Sequence, residues 1–242
     1  MDPQLTLRLV SANLARVREN LHKAAQDREV SLVCVTKYAQ DEWVDALLDA
    51  GATDLAENLL PRAGERFAAL FAAGRRFTRH LIGAQQSRKI KLIPDSFDWL
   101  QAVDSLKTAH LLEQELAERG LTINALLQVN IGLEPQKHGV APDEAPAICA
   151  QLAAECPHMQ LRGLMAVPPW PDAYPGMNDF ERGTRGCFRQ MRELFDTMPA
   201  RFGALPAWDT LSLGMSLDYI WAVEEGATMV RVGGALFEGL EG

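Results

Sequence analysis

The stretch "SLVCVTKYAQDE", residues 31–42, runs through four apolar residues, Leu32 to Val35, and then places an amine, Lys37, two positions on. A short apolar run of this kind, flanked by polar residues, reads as a buried β-strand. The turn that follows separates two architectures. A doubly wound α/β sheet usually leaves its first strand through a glycine-rich loop. Residues 36–42, "TKYAQDE", contain no glycine. That favours a (β/α)₈ barrel, which carries no such requirement in its first loop.

The pattern on either side of this stretch agrees. Residues 4–27 place Leu5, Leu7, Leu9, Val10, Leu14, Val17 and Leu21 on a broad apolar stripe of an N-terminal amphipathic helix. Beyond the first strand, helix and strand signals alternate. Strands are expected at 52–58, 77–83, 99–103, 124–131, 160–167, 209–216 and 228–237. Helices fall between them at 41–51, 59–73, 85–93, 105–119, 142–155, 179–197 and 217–226, with Pro94 closing the short one and Gly120 ending a longer one. Eight strands, all but the last followed by a helix, in a chain of 242 residues match the usual size of the barrel, about 250 residues. No linker, repeat or low-complexity segment interrupts the series, so residues 1–242 read as one domain.

Composition narrows the function. The formal net charge of −8 argues against nucleic-acid or anionic-membrane binding driven by bulk charge. The basic run "SRKIK", 87–91, reads as the solvated start of a helix. Cys34, Cys149, Cys156 and Cys187 show no metal-ligand spacing, so no metal is expected, and Cys34 reads as core packing. The N-terminus lacks the basic-then-apolar plan of a signal peptide, and no apolar run reaches the roughly 18 residues of a membrane span. The expectation is a cytoplasmic monomer with reduced thiols.

Barrel chemistry sits at the C-terminal strand ends and the loops beyond them. Lys37 follows the first strand. Its amine is either a rim charge snorkelling to solvent or a desolvated nucleophile for a carbonyl. Asn58, after the second strand, either caps a helix or contacts a ligand. His80 reads as a core or rim histidine in preference to a proton shuttle, Met165 and Met215 as packing, and Glu134 with Lys137 as a surface ion pair. "SLGMS", 212–216, and "RVGG", 231–234, bring small residues and hydroxyls to the last two strand ends, the customary phosphate site of this fold. Arg231, between Val230 and Val232, needs a partner wherever it points: a carboxylate, or the ring nitrogen of a cofactor. The long loop "PPWPDAYPGMND", 168–179, reads as an ordinary surface excursion in preference to a lid.

With Lys37, "AEN" (56–58), "HLIG" (80–83), "QVNIGLEPQKHG" (128–139), "RGLMAVP" (162–168), "LSLGMS" (211–216) and "MVRVGGALF" (229–237) in order, the chain resembles the pyridoxal phosphate homeostasis proteins. These are PLP-binding relatives of the barrel domain of alanine racemase. The resemblance covers about residues 8–238 and implies a fold-type III PLP barrel without the racemases' second β domain. It implies pyridoxal 5′-phosphate (PLP) as cofactor, held as an internal aldimine on Lys37, with Asn58 lining its ring. Ser216 and the backbone of Met215, Gly233 and Gly234 would cradle the phosphate, and Arg231 would face the pyridine nitrogen. The implied function is intracellular PLP homeostasis without catalytic turnover, with PLP-dependent apo-enzymes as partners.

Departures from the family pattern fall at three places. The usual "ENYVQE" is "ENLLPR" (57–62), "GPLQSNK" is "GAQQSRK" (83–89), and "GTAIFG" is "GGALFE" (233–238). Gly234 therefore stands where the family has threonine or alanine. If that threonine contacts the phosphate, a hydroxyl contact is missing here. The alternative function is a PLP-dependent amino-acid racemase, which needs a second acid–base group across the substrate; of Tyr38, Tyr174 and Tyr219, only Tyr38 lies near Lys37 in sequence. A lysine aldolase is a weaker third reading, because it requires neither Arg231 nor "SLGMS".

Overall fold

In a computed structural model the protein is described over residues 2–202 and 207–240. Eight parallel strands close into a barrel in sequence order: β1 (Ser31–Val35), β2 (Asp54–Glu57), β3 (Thr78–Leu81), β4 (Trp99–Val103), β5 (Ile123–Val129), β6 (Met159–Ala166), β7 (Thr210–Ser212) and β8 (Met229–Val232). The helices are α1 (Pro3–Ala25), α2 (Asp41–Asp49), α3 (Arg62–Ala72), α4 (Ile93–Ser96), α5 (Leu106–Arg119), α6 (Ala145–Glu155), α7 (Met177–Thr197), α8 (Pro199–Phe202) and α9 (Tyr219–Glu224). Among the described residues, no helix is long and apolar enough to cross a membrane.

Closure comes from β1 pairing with β8, with Val33 opposite Arg231 and Cys34 opposite Val232. Alternation along a strand then decides which side chains face inward. Val33, Val35, Ala56 and Met229 cluster inside the barrel, while Cys34, Val230 and Val232 join the larger core beneath the helices. Arg231 shares the parity of Met229, so it points inward.

α1 completes the outer ring. It lies against α2, α9 and the 3₁₀ turn Gly234–Leu236, the position a helix after β8 would take. The buried Asn13 side chain fixes it there, its Nδ2 donating to the carbonyl oxygens of Leu236 at 3.2 Å and Glu238 at 2.9 Å. Asn20 Nδ2 adds a bond to the Tyr219 hydroxyl at 3.0 Å.

Three boundaries differ from the sequence expectation. The segment before β4 is a 3₁₀ turn, Ser87–Leu92, that passes into α4 through Pro94 instead of stopping there. A proline tolerates the first helical turn because its missing N–H has no acceptor there. β7 ends at Ser212 and β8 at Val232. Residues 213–218 and 233–237 therefore leave the barrel as loops and a 3₁₀ turn, which brings their backbone to the barrel mouth.

Candidate functional site

A cavity of about 500 Å³ opens at the C-terminal ends of the strands. Of the residues singled out from sequence, Lys37, Met215, Ser216, Arg231, Gly233 and Gly234 line it. Asn58 is half-buried and is not among the residues that line the cavity. A Cβ on Gly83 would lie 2.9 Å from the Asn58 carbonyl oxygen, and Gln85 Nε2 donates to that oxygen at 2.9 Å.

Lys37 lies two residues beyond β1, and its backbone is held by a buried polar cluster. Thr36 donates from its amide to the Ala56 carbonyl at 2.9 Å and from Oγ1 to Glu57 Oε1 at 2.8 Å. Arg66, from α3, donates to Glu57 Oε1 at 2.9 Å, to the Thr36 carbonyl at 3.0 Å and to the Ala39 carbonyl at 2.8 Å. Glu57 and Arg66 thus fix the segment that carries the lysine. The Lys37 amine, on a half-buried side chain, lies 4.9 Å from the centre of the Tyr38 ring and makes no hydrogen bond or ion pair with any described residue. The Tyr38 ring itself is 85% exposed.

Arg231 is 3% exposed. Its Nη1 donates to the Ser212 carbonyl at 2.9 Å and to Ser212 Oγ at 2.6 Å, and its Nη2 donates to the Ala166 carbonyl at 3.0 Å. These bonds leave Nε–H and one Nη2 hydrogen without a partner among the described residues, on a side chain that lines the cavity. Burial pulls its pKa down to about 10, against the attraction of Asp218, so the guanidinium is still cationic at neutral pH. Asp218 also lines the cavity. Burial raises its pKa, while the Met215 amide, donating to Oδ1 at 2.6 Å, and Arg231 act in the opposite sense.

The β7 and β8 loops meet at Ser216, whose Oγ accepts from the amides of Gly233 at 3.2 Å and Ala235 at 3.4 Å. Glycine is required nearby. Gly214 has φ +84°, and a Cβ there would come within 2.6 Å of Ala222 Cβ. A Cβ on Gly233 would meet the Val35 carbonyl oxygen at 3.2 Å. At Gly234 the space is open, with Ser216 Oγ the nearest atom at 3.8 Å. The backbone amides of Ser216 and Gly234 donate to no described residue.

The opposite wall is made by residues 168–171, including Trp170, which is 51% exposed. This loop, expected as a surface excursion, instead forms part of the cavity. Lys137 Nζ donates to the Pro168 carbonyl at 2.9 Å and is ion-paired with Glu134. Both charges are about four-fifths buried. The pair read from sequence as a surface contact therefore anchors this wall.

Sequence reasoning missed Arg66, Asp218 and the anchoring role of Lys137. Arg66 carried no signal, because an arginine on an exposed-looking helix is ordinary. Asp218 had only a weak one: it follows "LGMS" at the start of the helix expected at 217–226.

The alanine racemase N-terminal domain family matches residues 11–240. The pyridoxal phosphate homeostasis protein of Pseudomonas aeruginosa is 36% identical over 234 residues, covering 94% of each chain. That of Escherichia coli (strain K12) is 34% identical over 236 residues, 94% of this chain and 95% of its own. Among solved structures, PipY of Synechococcus elongatus PCC7942, with PLP bound, superposes with a TM-score of 0.81 at 31% identity, covering 94% of this chain and 99% of PipY. Alanine racemase from Corynebacterium glutamicum, at 19% identity, has a TM-score of 0.67 over 97% of this chain and 63% of its own, a likeness of fold.

Proposed function

Because the chain belongs to the alanine racemase N-terminal domain family and, with it, to the pyridoxal phosphate homeostasis proteins, we propose that it binds PLP in the barrel-mouth cavity and serves intracellular PLP homeostasis. One observation carries this reading. An amine with no hydrogen bond or ion pair to any described residue, a buried arginine with spare donors and the two unpartnered amides of Ser216 and Gly234 converge on one cavity. Its volume lies within the roughly 300–1,000 Å³ range of small-molecule sites.

The residues fit the cofactor. Bound PLP supplies an aldehyde carbon open to attack by a primary amine and a pyridine ring that withdraws electrons. Lys37 provides the amine, on backbone held in place by Glu57 and Arg66. Ser216, with the free amides of Ser216 and Gly234, takes the phosphate, while the amides of Met215 and Gly233, assigned to the same cradle, are engaged by Asp218 and Ser216 Oγ and hold the loops in place. The open space at Gly234 leaves room for anion oxygens, where the family's side chain would stand. Arg231 has donors only and keeps its charge at neutral pH, so a ring nitrogen it meets stays unprotonated. Asn58, which the family resemblance assigns to the ring, does not line the cavity and would have to reach the ring by a change of side-chain position.

A ring in that state is a weak electron sink, which suits holding PLP better than carbanion chemistry. The chain is therefore a carrier without turnover of its own, acting as a single 1–242 domain and a monomer in the cytoplasm, with PLP-requiring apo-enzymes as recipients. The racemase alternative needs an acid–base group across the ring from Lys37. Tyr38 packs against the Lys37 amine itself, and the Asp218 carboxylate is engaged by the Met215 amide.

The test is an absorption titration with PLP, followed by borohydride trapping and peptide mapping, beside a Lys37→Ala variant. A yellow band in wild type, lost in the variant and reduced onto Lys37, supports the reading. Labelling spread over surface lysines refutes it. Amino-acid racemisation assays then separate carrier from enzyme.

A further inference from the structure

The barrel interior holds polar side chains that the cavity alone does not explain. Arg231 Nη1 donates to Ser212 Oγ at 2.6 Å, and Ser212 Oγ donates to Gln101 Oε1 at 2.8 Å. Gln101 Nε2 meets His80 Nδ1 at 3.0 Å, and His80 Nε2 meets Asp54 Oδ1 at 3.0 Å. His80, Gln101 and Ser212 are all fully buried. The chain crosses the barrel from Arg231 in the mouth to Asp54, the first residue of β2, which lines a second cavity at the opposite end.

Its direction is forced. Arginine has donors only, so Ser212 Oγ must accept from it and pass its own hydrogen to Gln101. The Gln101 carbonyl oxygen takes that hydrogen, and both amide hydrogens are then spent, on His80 Nδ1 and on Met229 Sδ at 3.3 Å. With Nδ1 accepting, the imidazole carries its hydrogen on Nε2 and gives it to Asp54. Turning the Gln101 amide over would leave the Ser212 hydrogen without an acceptor among the described residues. In the arrangement shown every polar side-chain hydrogen from Ser212 to His80 has an acceptor, and the links run from a cation to a carboxylate. The Trp99 ring, stacked on His80 at 5.5 Å, holds the imidazole plane.

An apolar filling would serve packing as well, since buried polar chains rarely stabilise more than well-packed hydrocarbon. The neighbouring interior residues Val33, Val35 and Ala56 are of that kind. What the chain does is hold one edge of the Arg231 guanidinium, leaving Nε–H and one Nη2 hydrogen for the cavity. We propose that Ser212, Gln101, His80 and Asp54 are positioning residues of the cofactor site, orienting Arg231 for the ring nitrogen of PLP. This rests on the reading of the cavity as a PLP site.

The test compares binding of PLP with that of its analogue in which the ring nitrogen is replaced by CH, in wild type, Ser212→Ala and Gln101→Leu, with thermal midpoints measured alongside. Wild type is expected to prefer PLP over the analogue. Either variant is expected to lose about tenfold in PLP affinity, with a shifted absorption maximum, and to leave the analogue's affinity unchanged. Ser212→Ala removes a single hydroxyl and Gln101→Leu keeps a similar volume, so one folded variant suffices. Equal losses for both ligands, or unchanged discrimination, overturn the inference while PLP binding by wild type stands. Failure of wild type to bind PLP at Lys37 overturns the underlying reading and the inference with it.

Discussion

At the scale of single residues the cavity concentrates charge where water is scarce, and Asp218 bears the clearest consequence. It is 3% exposed, and burial raises its pKa, against the Met215 amide and Arg231. A carboxyl group whose folded pKa lies above its unfolded value costs stability wherever it is ionised. The cost is absent well below the ordinary aspartate value of about 3.9 and full above the folded pKa. Asp218→Asn keeps an acceptor for the Met215 amide and removes the charge. Its thermal midpoint is therefore expected to exceed that of wild type at pH 7, with the gap closing as the pH falls to about 3. Calorimetry across that range checks it, and a gap independent of pH would mean that the carboxylate's burial is not what matters. Lys37 and Arg231 were visible in the sequence because each is a charge set among apolar strand residues. Asp218 was not, because "SLDYI" reads as a helix start, and only tertiary burial distinguishes it from a capping aspartate.

At the scale of elements, the site depends on where strands stop. Periodicity placed every strand but ran β7 on to residue 216 and β8 on to residue 237, where the structure ends them at Ser212 and Val232. Apolar side chains continue through both segments, so the pattern alone had no reason to stop. The backbone had one. Gly214 takes φ +84° and lies against Ala222 and Tyr219 at distances that exclude a side chain, turning the chain so that Ser216 meets the Gly233 and Ala235 amides. Alanine at 214 would combine left-handed backbone strain with overpacking against α9. Gly214→Ala is expected to lower stability by about 3 kcal/mol, read as a shift in urea midpoint. A loss under about 1 kcal/mol, the level of ordinary surface changes, would show that the loop relaxes and that this glycine does not set it. Only the start of the loop 168–179 departs from a surface excursion. Its prolines and aromatics look like one in sequence, and only the Lys137–Glu134 anchor, which joins the loop after β5 to the loop after β6, turns residues 168–171 into a wall.

At the scale of the whole molecule the barrel divides its labour between two ends. The residues proposed to hold PLP gather at the C-terminal mouth, while carboxylates at or just before strand starts brace the floor, the face that in this fold serves stability. Asp54 opens β2, and Asp98 and Asp209 immediately precede β4 and β7. All three have lowered pKa values. Burial works against each carboxylate, and hydrogen bonds from His80, Arg79 and Arg162 respectively prevail. Sequence patterning located these residues beside strands but gave no hint of their partners, which come from neighbouring strands or the turns before them. For a carboxylate held below its unfolded pKa, the stabilisation is present above about 3.9 and is lost as pH falls through the folded value. The floor is therefore expected to weaken on acidification below about pH 4, not between pH 5 and 8. Asp98→Asn isolates one brace: it keeps one oxygen for the Arg79 amide, which donates to Oδ2 at 2.8 Å, and loses the ion pair to the guanidinium at 2.7 Å. Its thermal midpoint should fall below that of wild type at pH 6, and the difference should shrink as the pH falls below about 3.9 toward the folded value and the carboxylate takes up its proton. A difference that persists undiminished in acid would assign the loss to packing, and the floor's charge pairs would then have no part in holding the barrel closed.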